Sequence, residues 1–366
     1  MSHPFVITVV LGFGALTMSA CSTESSSESG SLDDAQGFDV IPTGNDAVDV
    51  HPTDIAEDAG AVDVPSVDVL PEADASEVDA SEVDASEVDA SEVDASEVDI
   101  IMPSGWASGE PLPISVTENS AVTLGNSIYV MGGFVGFESP ATVHRFDGET
   151  AEWSAVTPLP REGFHHLSVV AADEKLWLVA GLETIGFSPS ATSYSYDPSN
   201  DQWAEIAAPL LPRGAAGAAE IDGVIYVAGG LTPTGASNTL MSYTLATDSW
   251  DELTPMDVAR EHIGACALNG KLHVFGGRLG GLNNHDTHRV YDPSLDEWSS
   301  AEPLPTARSG VGVVRLNGRC HVFGGEESAG TFGQHEVWSD ADGWSTLTEM
   351  PTPRHGLGAA VLNGQI

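Results

Sequence analysis

Five short apolar runs recur along the C-terminal part of the chain, each ending in glycine: SIYVMGG at Gly133, KLWLVAG at Gly181, VIYVAGG at Gly230, KLHVFGG at Gly277 and RCHVFGG at Gly325. The closing glycines are 48, 49, 47 and 48 residues apart. Each run has strand length and is apolar at consecutive positions, which predicts a strand buried on both faces. The closing glycines predict close backbone approach or positive φ. About twenty residues further on stands a tryptophan: Trp153, Trp203, Trp250, Trp298 and Trp344. Turn signals precede it in FDGETAEW, YDPSNDQW and YDPSLDEW, and less cleanly in YTLATDSW and WSDADGW. Each unit therefore reads as four antiparallel strands, a to d; in the third unit these are AAEIDG, VIYVAGG, MSYTL and DSWDELTPM. A sheet with two apolar faces is not stable alone, whereas radially packed copies cover one another.

The tripeptide LNG opens the runs at Leu268 and Leu316, where it predicts the turn between strands a and b. It returns in AAVLNGQI, Ala359 to Ile366, which reads as a lone strand a with the first residues of b. GWASGEPLP, with Trp106, reads as a lone strand d. Five units are complete and a sixth has only its outer strands, so the expectation is a chain truncated at its C-terminus.

A strand closed by two glycines, then Tyr-Asp-Pro, then Trp, in units near 48 residues, resembles the kelch repeat over 106–366. Ala180 replaces the first glycine in the second unit, and the third lacks the Tyr-Asp turn. The resemblance implies an all-β, six-bladed kelch-type β-propeller, with five complete blades and an incomplete sixth shared by the two chain ends.

The charge is unevenly distributed. The chain carries 12 basic and 55 acidic residues, a formal net charge of −43. Between Ser22 and Gly105 there are 24 acidic residues and no basic one. Nucleic acid and anionic lipid would both be repelled. Residues 75–99 repeat ASEVD five times. That period builds no face on a helix or a strand, so 21–105 is expected to be a disordered, extended acidic linker. The EF-hand pattern is absent from it. Phe5 to Leu16 is almost wholly apolar, with the length of a signal-peptide core, and Ser19, Ala20 and Cys21 follow. MSAC resembles the lipobox of bacterial lipoproteins. This implies that 1–20 is a signal peptide, that Cys21 carries the lipid, and that the protein is exported and held in the cell envelope at the outer membrane. A plain secretory signal that leaves Cys21 free is the alternative. Cys266 and Cys320 occupy different places in the repeat and are expected to be buried small hydrophobes without a bridge.

Four antiparallel strands put the b–c and d–a connections on one face. The b–c loops are long and differ in every unit, as recognition loops on a repeated scaffold do. Their candidate contacts are Phe134, Phe137, Phe187, Phe332, Asn283, Asn284 and His285. One arginine enters each strand a: Arg161, Arg213, Arg260, Arg308 and Arg354. These read either as a positive ring facing a carboxylate or as structural bridges to an adjacent blade, and their repetition favours the bridges. His165, His166, His262 and His355 beside them do not recur in every unit, which marks them as ligand candidates. HDTH, His285 to His288, lacks the further ligands a metal site needs, and no metal or cofactor is expected. The preferred function is a binding or scaffold propeller for a protein or carbohydrate. The alternative is a sugar epimerase or mutarotase similar to kelch-type sialic acid mutarotases, hinted at by Arg161-Glu162 and Arg260-Glu261. A copper radical oxidase is discounted, because no matching Tyr, Cys and His set is found.

Overall fold

The computed structural model describes residues 105–366. The signal peptide, Cys21 and the acidic linker to residue 104 lie outside the described residues. Five antiparallel sheets follow one another, each of four main strands, with a short extra strand, Ser188–Pro189, in the second. Blade 1 has strands Ser120–Leu124, Ser127–Met131, Val143–Asp147 and Glu152–Val156. Blade 2 has Phe164–Ala172, Lys175–Glu183, Ser193–Asp197 and Gln202–Ile206. Blade 3 has Gly217–Ile221, Val224–Ala228, Leu240–Thr244 and Ser249–Leu253. Blade 4 has Gly264–Leu268, Lys271–Phe275, His288–Asp292 and Glu297–Ser300, and blade 5 has Gly312–Leu316, Arg319–Phe323, His335–Ser339 and Gly343–Leu347. Successive strands a lie side by side. The arrangement is a β-propeller.

Burial follows the hydrophobic pattern. Strand b of blades 3 to 5 is buried at four consecutive positions, while strand d is largely exposed apart from its tryptophan. The a–b turns are set locally: Asn269-Gly270 and Asn317-Gly318 both have two positive φ angles, as two-residue hairpin turns require. Asn363-Gly364 repeats this, with Leu362 and Gln365 exchanging backbone hydrogen bonds of 2.9 and 3.0 Å, so the third LNG is the same turn.

The double glycine is explained by the next blade. Gly230 N–H donates to the Arg260 carbonyl at 2.8 Å, and a Cβ at Gly229 would lie 2.6 Å from that oxygen. Blade 2, with Ala180, instead continues strand b to Glu183, with register shifts against strand a between His165 and Ser168 and between Ser168 and Val169.

The outer parts of the blades are clasped. Tyr196, Tyr243 and Tyr291 donate to Asp201, Asp248 and Asp296 in their own c–d turns, at 2.6, 2.7 and 2.7 Å. The same carboxylates accept backbone N–H bonds from Thr157, Ala207 and Thr254 of the preceding blade. Trp203, Trp250 and Trp298 donate to the carbonyls of those same three residues at 3.1, 2.8 and 2.7 Å. Trp153 and Trp344 donate to Glu110 and Glu302, and Trp106 to Thr348 of blade 5.

Cys266 and Cys320 form a disulfide with a Cα–Cα separation of 6.1 Å, correcting the expectation of two unbridged residues. Their places differ within the repeat, strand a against strand b. Radial packing nevertheless lays strand a of blade 4 against strand b of blade 5.

Candidate functional site

The b–c and d–a connections share a face, as bridges Gly214–Leu231, Ser237–Arg260, Glu261–Arg278 and Ser309–Glu326 tie one kind to the other. At the centre of this face the chain approaches the axis at residues 118, 166, 215, 262, 310 and 356. These open the sequences ENSA, HLSV, AAGA, HIGA, GVGV and GLGA. All six have positive φ, between 49 and 64°. From the second onward, each backbone N–H donates to its predecessor's carbonyl: His166 to Glu118 at 3.2 Å, Ala215 to His166 at 3.0 Å, His262 to Ala215 at 2.8 Å, Gly310 to His262 at 3.0 Å and Gly356 to Gly310 at 3.1 Å. These six tetrapeptides line an axial cavity of about 180 Å³. The left-handed conformation points the chain into this ring, where glycine is comfortable and a larger residue is strained.

Three ring positions carry no functional side chain: Ala215, Gly310 and Gly356. The other three are Glu118, His166 and His262, whose polar atoms lie within 4.8 Å of one another. A Cβ at Gly356 would fall 2.3 Å from the Glu118 carboxyl carbon, so the glycine makes room for that carboxylate. Glu118 Oε2 is 3.1 Å from His166 Nε2, and Oε1 is 3.3 Å from His355 Nε2. His166 and His262 stack edge to face, with centroids 4.7 Å apart. Behind them, His166 Nδ1 meets His165 Nδ1 at 2.6 Å, and His165 Nε2 meets the Thr184 carbonyl at 2.9 Å. His262 Nδ1 bonds Glu261, while Arg278 binds Glu261 at 2.7 Å, approaches His262 Nε2 at 3.0 Å and pairs with Glu326. Phe134 and Phe187 wall in the His165–His166 pair.

Burial sets the electrostatics. It pushes the His166 imidazole down to about 3, against the pull of Glu118, and also lowers His165. Burial alone would raise Glu118, but the hydrogen bond from His355 and the surrounding imidazoles hold it at about 2. The hydrogen bond to Glu118 raises His355. The cluster thus offers neutral imidazole, an ionised carboxylate and a guanidinium in one recess, a set suited to proton transfer or to holding a polar ligand.

The sequence-predicted residues divide sharply. His165, His166, His262 and His355 meet at the axis. Asn284 reaches the Glu326 carbonyl at 2.6 Å, with its own Oδ1 and His285 Nε2 buried and unpartnered. Phe332 is half-buried and Arg354 exposed at the rim. Arg161 is exposed, bonded to Glu183 at 3.0 Å and Thr192. Arg213, Arg260 and Arg308 are completely buried. Arg213 donates to the Gly229 and Thr239 carbonyls, Arg260 to Gly276 and Thr287, and Arg308 to Val322 and Glu336. These three place none of their charge on the face. His288 of HDTH is buried against His273 at 2.9 Å, away from the axis. Sequence reasoning missed Glu118, Arg278 and Glu326. The available signal was the six-fold recurrence of the tetrapeptide, in which Glu118 aligns with His166 and His262.

The family model described as Attractin/LZTR1 beta-propeller matches residues 103–329. Kelch-like protein terF of Aspergillus terreus is 30% identical over 129 residues, covering 32% of this chain and 28% of its own. Human Kelch-like protein 23 is 35% identical over 114 residues, covering 30% of this chain and 19% of its own. Human Kelch-like protein 34 is 35% identical over 144 residues, covering 34% and 21%. The chain thus spans well under a third of the length of these curated relatives. Among solved structures, the "Structure of YjhT" superposes with a TM-score of 0.60 at 13% identity, covering 70% of this chain and 90% of that one, a likeness of fold.

Proposed function

Given that the chain belongs to the Attractin/LZTR1 β-propeller family, we propose that it is a kelch-type binding propeller that recognises a protein or carbohydrate on its b–c and d–a face. One observation carries this reading: the loops on that face expose apolar side chains around a recessed polar centre. Phe137 is 83% exposed and Ile185 65%, with Phe187 two residues beyond Ile185 and Leu279 and Leu282 exposed on the equivalent loop of blade 4. The opposite face has short hairpin turns. Exposed aromatic and aliphatic anchors around a polar recess are what a recognition surface needs. The test is a peptide and glycan array probed with the purified chain. Phe137→Ser with Ile185→Ser should abolish the signals, whereas Lys271→Ala on the opposite face should leave them unchanged. Equal signals from all three proteins would rule the reading out.

The finer architecture belongs to the same proposal. We take the propeller to have six blades, supported by the six tryptophan-to-carbonyl bonds and the six ring positions. We also take the chain to be exported and held in the cell envelope through a lipid on Cys21. Mass spectrometry of the mature N-terminus tests this: an unmodified Cys21, or an uncleaved leader, would overturn it.

A second reading, a sugar mutarotase or epimerase, draws on the axial cluster. Glu118 sits between two imidazoles, with the Arg278 guanidinium paired to Glu261 and Glu326 beside them. Exchange NMR on the anomers of a carboxylated sugar tests it. Turnover that Glu118→Gln removes supports it, and the uncatalysed rate with wild-type protein excludes it.

A further inference from the structure

The hydrogen-bond pattern around the axial ring fixes where its protons are. His165 Nε2 faces the Thr184 carbonyl, which only accepts, so Nε2 carries the hydrogen and Nδ1 of the neutral ring is bare. The 2.6 Å contact between His165 Nδ1 and His166 Nδ1 then requires His166 to donate. That leaves His166 Nε2 with only a lone pair, and 3.1 Å away is a carboxylate oxygen of Glu118, another acceptor. His262 arrives at the same state independently. Its Nδ1 is held by the Glu261 carboxylate, so it donates there, and its Nε2 carries no hydrogen and accepts from Arg278 Nη2 at 3.0 Å. One imidazole nitrogen from each of His166 and His262 and a carboxylate oxygen of Glu118 lie within 4.8 Å of one another.

We propose that these three groups, Glu118, His166 Nε2 and His262 Nε2, form a binding site for a divalent transition-metal ion of the zinc type at the mouth of the axial cavity. Neutral imidazole with carboxylate is a donor set for zinc and its neighbours rather than for magnesium or calcium. Ligand atoms about 2.1 Å from a tetrahedral ion lie roughly 3.4 Å from one another, close to the His166–Glu118 separation. Each histidine has the outer partner a metal ligand needs to fix its tautomer, Glu261 for His262 and His165 for His166. The local charge is also suited to a cation: Glu118, Glu261 and Glu326 face the single guanidinium of Arg278 and the His355 imidazole. Arg278 touches His262 Nε2, but its bonds to Glu261 and Glu326 hold it in place when that lone pair turns to a metal. His355, already against Glu118, is positioned at the side of the site. The competing arrangement is a proton shared between His166 and Glu118, and the experiment separates the two. The inference concerns the ring alone and stands whether or not the loop face binds a partner.

The test uses the full chain, stripped with chelator and titrated with zinc chloride by calorimetry, with metal content read by mass spectrometry and cobalt absorption as a second probe. We expect one zinc per chain above the weak background of the acidic segment. That background is given by the full-length His166→Ala/His262→Ala double variant. Each single variant, and Glu118→Gln, should weaken binding at least 100-fold. His165→Ala, which acts by positioning, should weaken it 10- to 100-fold while cobalt still gives a low-coordinate spectrum. His262→Gln, close in shape, guards against loss through misfolding, with circular dichroism confirming the fold. No stoichiometric zinc above the double-variant background, or affinity unchanged in both histidine variants, leaves the shared proton as the explanation and overturns the site.

Discussion

The inner ring and the outer clasps of this propeller are built on the same repeat, yet they use it in opposite ways. In the clasps the side chains repeat with the backbone. Tyr, Asp and Trp recur in blades 2 to 4; each Tyr holds its own blade's Asp, and Asp and Trp make the same bonds to the preceding blade each time. In the ring the backbone repeats and the side chains do not. Six residues adopt one conformation, but only three bear ligating groups. The buried arginines belong with the clasps: Arg213 and Arg260 cap carbonyls at corresponding places in successive blades. Repetition at one structural position marks what holds blades together, and departure from it marks where chemistry can differ.

Breaking the repeated part should cost most. Arg308→Ala removes the partner of Glu336, itself 2% exposed, and leaves a buried carboxylate unpaired. A loss of about 3–5 kcal/mol is expected in urea unfolding. Next comes the Cys266–Cys320 bridge: reduction, or the double alanine variant, should lower stability by about 2–4 kcal/mol, read as a shift in the denaturant midpoint. Tyr243→Phe removes one clasp hydrogen bond and should lower stability by about 0.5–1.5 kcal/mol. The ring should contribute least. His166→Ala should change the unfolding free energy by under about 1 kcal/mol while removing metal binding, so that stability and ligand affinity separate. Comparable losses from Arg308→Ala and His166→Ala would erase the contrast.

Acid acts on both parts, since Glu118 of the ring is held at about 2 and the clasp carboxylates are lowered as well. The Ala207 backbone N–H and then the Tyr243 hydroxyl lower Asp248, and Tyr hydroxyl and backbone donors likewise lower Asp201 and Asp296. A depressed folded-state value means that stability is present above the unfolded carboxylate value near 3.8 and is lost as pH falls from there through the lower folded values. Unfolding free energy measured between pH 5 and pH 2 should therefore fall below about pH 4, and fall less in Tyr243→Phe.

Much of the fold was legible because its determinants are local. The apolar b runs, the Asn-Gly turns and the glycine pairs specify strands and hairpins within a few residues of themselves. The loop face was legible too, since antiparallel connectivity alone assigns it. The histidines stood out by failing to recur, but Glu118 did not, because no neighbouring residue in sequence announces a site. Its partners are 48 and 144 residues away in the chain.

By itself the sequence determined the period, the strand order, the turns and the need of each sheet for neighbours, because β-strand alternation and positive-φ turns are properties of short segments. Only the tertiary structure decided that Cys266 meets Cys320, that Arg213, Arg260 and Arg308 are withdrawn from the surface, and that Glu118, His166 and His262 share one cavity. Those outcomes depend on the angle and distance between successive blades around the axis, which no local pattern encodes.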